Sequence, residues 1–281
     1  MKLADALRLV RRAPADGQAP PRLGLASGLI TQHLETFLGA HVAERTGTAP
    51  RLEVGLFDDL AGTIRRFAAQ PPRAVAVVLE WSDLDPRLGY RVTHGLRASA
   101  SADVVATVEQ RLAALTESLR ALAEKTTVAL LLPLLPLPPR ALGPPHHTSA
   151  EPHRLRAAVA SFAASVADRV RVLDPERVTS RLPAGALRFD TLLGSGSPYT
   201  LEAADALGAL LAEALYPTPP RKGLITDLDD TLWRGLLGDD GIAGLSFDLD
   251  HGSHAHALYQ ELLAALAEQG VLLAIVSKND P

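Results

Sequence analysis

From about residue 22 onward, short apolar runs alternate with segments of helical periodicity. That alternation predicts parallel strands joined by crossover helices, an open α/β sheet covered on both faces. Residues 22–26, 52–57, 74–79, 127–132 and 170–173 read as strands, and 31–45, 58–69, 102–124, 152–168 and 201–215 as helices. The run 74–79 is continuously apolar, as a central parallel strand buried on both sides must be. In the long helix, Val105, Val108, Leu112, Leu115, Leu119 and Leu122 repeat at three and four residues and define its buried stripe.

Residues 216–222 interrupt the pattern. Pro217, Pro219 and Pro220 cannot continue a helix. The expected organisation is therefore two domains, residues 1–218 and 219–281. In the second, 223–226 reads as a strand, followed by a stretch with Gly235, Gly238, Gly241 and Gly244. A helix over 253–269 should turn Leu258, Leu262 and Leu266 to one face, with Gly270 as its C-cap, and 271–276 reads as another strand.

Composition excludes several classes of function. The net charge of −4 provides no basic field for nucleic acid. The absence of cysteine removes disulfides, thiolate metal sites and a cysteine nucleophile. The most apolar stretch, 128–137, is broken by Pro133 and Pro136, far short of the roughly 20 residues of a spanning helix. No secretory pattern opens the chain. It reads as cytoplasmic, with neither nucleic acid nor membrane as partner.

The chemistry concentrates at Asp227-Leu228-Asp229-Asp230-Thr231, directly after the strand 223–226. Side chains two apart on extended backbone point the same way, and open α/β sheets place ligands beyond the C-terminal ends of their strands. One carboxylate can attack phosphorus, and the other can protonate the leaving oxygen and then take a proton from water. Mg²⁺ prefers such oxygen ligands, with Asp227 and Asp229 as candidates. Thr231 offers a hydroxyl to phosphate oxygens.

The string LITDLDDTLWRGLLGDDGI closely resembles the first motif of the haloacid dehalogenase (HAD) superfamily. The resemblance implies a Rossmann-like domain in which Asp227 is the nucleophile and Asp229 the acid/base, with the Asp229 backbone carbonyl on Mg²⁺. The superfamily's second motif, a phosphate-binding Ser or Thr after the next core strand, falls on Ser277, and Lys278-Asn279-Asp280 continue its pattern. Trp233, the segment 238–241 and GVLLAIVSKND narrow the resemblance to FkbH-like proteins of HAD subfamily IIIC. It implies a phosphatase or phosphotransferase acting on a small phosphorylated acyl or glyceryl group handed to an acyl carrier protein in secondary metabolism. Many FkbH-like sequences carry Cys before the motif-two Ser, where this chain has Val276, so no enzyme thioester is expected here. The superfamily's later Lys and downstream acidic ligands have no counterpart before Pro281. The chain is therefore expected to be the leading part of a longer protein, and alone to turn over phosphate monoesters negligibly.

FkbH-like proteins place an SGNH hydrolase-like, flavodoxin-like domain first, and residues 1–218 resemble one in layout. Ser27 stands where that family's nucleophile follows the first strand. After the third strand the text reads Glu80-Trp81-Ser82-Asp83, without the family's Asn. Ser197 stands where its His should be and Gly194 where its Asp should be. Asp190 would complete a triad only if a distant histidine reached Ser27. A noncatalytic docking domain is expected, and an esterase using Ser27 is the alternative. A third reading makes the whole chain a scaffold with a vestigial phosphatase segment. Glu80, Asp83 and Asp85 around Trp81 read most simply as a solvated loop beside a half-buried Trp, with a ligand rim as the alternative. His251, His254 and His256, with Asp248 and Asp250, do not share one helical face, which disfavours a transition-metal site.

Overall fold

The computed structural model describes residues 1–11, 19–93, 103–139 and 149–278. Its contacts divide the chain into two compact units, Met1–Pro217 and Thr218–Pro281.

The first unit is built on a five-stranded parallel sheet of β1 (Arg22–Ser27), β2 (Arg51–Val54), β3 (Ala74–Val78), β4 (Thr127–Leu131) and β5 (Arg171–Val172), in the order β2-β1-β3-β4-β5. Alternate residues of each strand feed opposite cores. Leu23, Leu25, Ala76 and Val78 pack with α2 (Gln32–Thr46) and α9 (Leu201–Leu215). Ala26, Val75, Val77 and Leu130 pack with α3 (Leu60–Ala69), α5 (Val104–Ala123) and α6 (Glu151–Val166). The mixed α/β class with a parallel sheet is thus the observed one. Helix starts follow local chemistry: the side chains of Asp59 and Thr200 accept the N–H groups of Gly62 and Ala203, capping α3 and α9. Helices α2 and α9 approach closely at Gly208, where a Cβ would lie 2.9 Å from the Leu38 nitrogen.

The structure departs from the sequence reading at several places. The strand over 52–57 ends at Val54. Asp58 has a positive φ of 58° and gives its N–H to the Gly28 carbonyl, so residues 56–58 fold over the end of β1 instead of extending. Three short helices, α4 (Trp81–Leu84), α7 (Pro175–Arg181) and α8 (Phe189–Ser195), are too brief to show periodicity in the text. The loop expected to be solvated around Glu80 is interior: Glu80 is fully buried, Asp85 nearly so, and Trp81 only 6% exposed. The glycine-rich stretch after the aspartates contains α10 (Leu237–Gly244).

The second unit pairs β6 (Gly223–Thr226) with β7 (Leu272–Ile275) in parallel, Thr226 opposite Ile275. Helix α11 (His254–Glu268) lies between them in sequence; its C-cap is Gln269 and not the expected Gly270, which follows with a φ of +86°. Its inward face is not the expected leucine stripe. Leu258 and Leu262 are 55% and 53% exposed. The face turned inward carries His256, Tyr259, Gln260 and the buried Leu263, spaced three, one and three residues apart.

Candidate active site

Asp227 follows β6 directly, and Ser277 lies two residues past β7, so both stand beyond the C-terminal ends of adjacent parallel strands. The Val276 N–H bonds the Thr226 carbonyl at 3.0 Å and keeps the strands paired up to the site. Asp227 is exposed. Its Oδ1 accepts the Leu228 N–H at 2.8 Å, while Oδ2 has no partner among the described residues. Asp227 therefore presents a free anionic oxygen, as a nucleophile or metal ligand requires.

Asp229 is held differently. Its Oδ1 accepts the indole N–H of Trp233 at 3.1 Å and the backbone N–H of Leu237 at 3.2 Å. Two donors on one oxygen fix the carboxylate's orientation. Asp230 adopts a left-handed φ of 49° and receives the Gly235 N–H at 2.8 Å, which closes the loop. Thr231 is half-buried in the turn begun by its N–H to the Leu228 carbonyl.

The polar face of α11 clamps this loop. His256 Nδ1 lies 3.0 Å from the Thr231 carbonyl, and Gln260 Nε2 donates to the Leu232 carbonyl at 2.5 Å. The Tyr259 hydroxyl donates to Thr226 Oγ1 at 3.1 Å, and Thr226 in turn donates to the Asp227 carbonyl. Sequence reasoning singled out His256 only within a histidine cluster and missed Tyr259 and Gln260, because a polar i, i+3, i+4 face reads as solvent-facing when its tertiary partner is unknown. Of the other histidines, His251 gives Asp248 its backbone N–H at 2.9 Å and pairs with it through the ring at 2.7 Å, and these bonds hold that carboxyl below its usual range. No group of three metal-ligating side chains forms among the described residues. The donors at the strand ends are oxygens, two carboxylates and hydroxyls, which suit a hard cation that keeps several waters. Lys278 is exposed at the rim. Asn279 lies outside the described residues.

In the first unit, Ser27 is buried at the end of β1, and its Oγ accepts the Leu29 N–H at 3.1 Å. No described histidine bonds to it. Asp190 instead pairs with Arg188, and Ser197 and Gly194 supply no base. Glu80 Oε1 and Oε2 accept the N–H groups of Leu134 and Leu135, both at 3.2 Å, and the Tyr199 hydroxyl reaches Oε1 at 3.4 Å. Loss of water pushes Glu80 up to about 8, against these bonds and with help from Asp83. Burial likewise pushes Asp83 up to about 7.

No family model and no curated protein matches this chain. Among solved structures it is similar to the N-terminal part of the protein BF1531 from Bacteroides fragilis, which contains a phosphatase domain and was crystallised with Mg. The TM-score is 0.70 at 15% identity, over 100% of this chain and 74% of that one. At that identity the likeness establishes a shared fold. No helix among the described residues is long and apolar enough to cross a membrane.

Proposed function

We propose that the chain carries a Mg²⁺-dependent phosphatase or phosphotransferase site of the HAD type, in which Asp227 takes up the phosphoryl group. The observation that carries this reading is the Asp227–Asp229 pair beyond β6, one parallel strand from the Ser277 end of β7. Asp227 attacks phosphorus through its unpartnered oxygen, and the bond from phosphorus to the leaving oxygen breaks. Asp229, oriented by Trp233 and Leu237, delivers a proton to that oxygen. Asp229 then takes a proton from a water attacking the aspartyl-phosphate, which releases phosphate and restores the Asp227 carboxylate. Thr231, Ser277, Lys278 and Asn279 bind the phosphate oxygens. Mg²⁺, held by the Asp227 carboxylate and the Asp229 carbonyl, supplies positive charge against the transferring group, and the Mg in the BF1531 crystal supports that choice.

The finer reading rests on the FkbH-like resemblance of the second unit. The substrate is a small phosphorylated acyl or glyceryl group borne on an acyl carrier protein in the cytoplasm. The first unit is an SGNH-like, noncatalytic docking domain, in keeping with a Ser27 that no described histidine bonds. The test is phosphate release by the full-length protein from a panel of phosphorylated acyl and glyceryl compounds, free and carrier-bound, with Mg²⁺ and with EDTA. Release should require Mg²⁺ and fall at least about 10³-fold in Asp227→Asn, since an amide is a poor nucleophile. Undiminished release by Asp227→Asn overturns the assignment.

A further inference from the structure

We infer that the first unit binds a small zwitterion, an α-amino acid with a compact apolar side chain, in the crevice between the ends of β1 and β3. This inference does not depend on the phosphatase reading. The chain leaves β1 for β2 on one side, whereas β3 pairs on the other. Open parallel sheets bind ligands where the winding reverses in this way. A cavity of about 150 Å³ lies there, lined by Gly28 and Leu29 after β1 and by Trp81 and Ser82 after β3. A cavity of that order holds a benzene-sized group of about six carbons.

The interior and the mouth differ in chemistry. The interior is apolar, with Leu29, Leu88, Leu135 and Leu192. At the mouth stand two exposed charges of opposite sign, Asp58 and Arg91. Arg91 is fixed in place. Its Nη1 donates to the Leu192 carbonyl at 3.1 Å, and its guanidinium lies 5.5 Å from the Phe57 ring centroid. It also rests against Gly196, where a Cβ would be 2.7 Å from Nη1. Its remaining N–H groups have no partner among the described residues. Asp58 is held by its own backbone, in the left-handed conformation with its N–H on the Gly28 carbonyl at 3.0 Å. Its carboxylate has no hydrogen-bond or ion-pair partner there either, and does not pair with Arg91.

Two fixed, opposite, unpaired charges across one small apolar cavity match a ligand that carries both. A carboxylate bonds the open N–H groups of Arg91, an ammonium meets Asp58, and the side chain fills the leucine-lined interior. Asp83 stands behind the Asp58 side, its carboxyl pushed up to about 7 by burial. It lies close enough to Asp58 to feel its charge, and its Oδ1 stands 1.9 Å from where a Cβ on residue 28 would be. A ligand with one charge would cover the other protein charge without pairing it, which costs affinity.

The test is isothermal titration of the full chain with L-leucine, 4-methylpentanoate and 3-methylbutylamine, which share one apolar body. Leucine should bind at least about tenfold more tightly than either half-ligand. Asp58→Asn should weaken leucine about tenfold and leave 4-methylpentanoate unchanged, whereas Arg91→Gln should weaken both. Thermal melts confirm that both variants fold. Absence of leucine binding at millimolar concentration overturns the inference, as does 4-methylpentanoate binding as tightly as leucine.

Discussion

In the proposed mechanism, Trp233 serves the chemistry of Asp229. The indole N–H at 3.1 Å contributes about 1 kcal/mol of orientation, the usual net worth of such a bond. Trp233→Phe keeps the ring and removes the donor. It should lower kcat about fivefold with KM little changed, because the lost contact acts on proton delivery and not on phosphate binding. A kcat equal to that of the parent would show that the indole N–H is dispensable. The motif aspartates were readable in the sequence, because a strand followed by Asp-x-Asp is a local pattern. The residues that hold the motif in place were not. His256 and Gln260 lie 25 and 28 positions from the carbonyls they bond, and nothing in their immediate neighbours marks them as inward. The same limit hid Glu80, whose partners lie 54, 55 and 119 positions away. A carboxylate after a strand reads as solvated unless those partners are known.

Among elements, Glu80 ties the end of β3 to the segment after β4 and to Tyr199, two residues before α9. Its pH signature is specific. Burial raises Glu80 from 4.5 to about 8 and Asp83 from 3.8 to about 7, so between those limits the folded unit binds more protons than the unfolded chain. The stability these groups contribute is present below about pH 4 and declines as pH rises through 7 and 8. The melting temperature of the first unit should fall by at least about 5 °C from pH 5 to pH 9. Glu80→Gln should flatten much of that slope, and an unchanged slope would assign it to other groups. Helices α2 and α9 make a separate prediction. Gly208→Val would drive a side chain into the backbone of Phe37 and Leu38. It should destabilise the unit by about 1–3 kcal/mol in urea unfolding, as overpacking does. The long elements were readable because their apolar periods span several turns. The helices of four and seven residues were not, since so few positions define no period.

Across the described residues of the chain, the two units differ in how much core they own. The first buries two apolar layers, one on each face of its sheet. The second buries Leu263 as its one large apolar side chain among the described residues, beneath a two-stranded sheet whose β7 is exposed throughout. Two strands carry little independent stability. Limited trypsin digestion of the 281-residue chain should therefore cut at Arg221 or Lys222, in the exposed connection, and degrade the second unit before the strands and helices described for the first. Equal resistance of both parts would contradict this account. The proposed chemistry depends on one covalent event, transfer of the phosphoryl group to Asp227. Quenching the full-length protein with borohydride during turnover with Mg²⁺ reduces an acyl phosphate to the alcohol, which peptide mass spectrometry locates. The account predicts homoserine at position 227 and none in Asp227→Asn; reduction at Asp229 instead, or at no position during confirmed turnover, would contradict it.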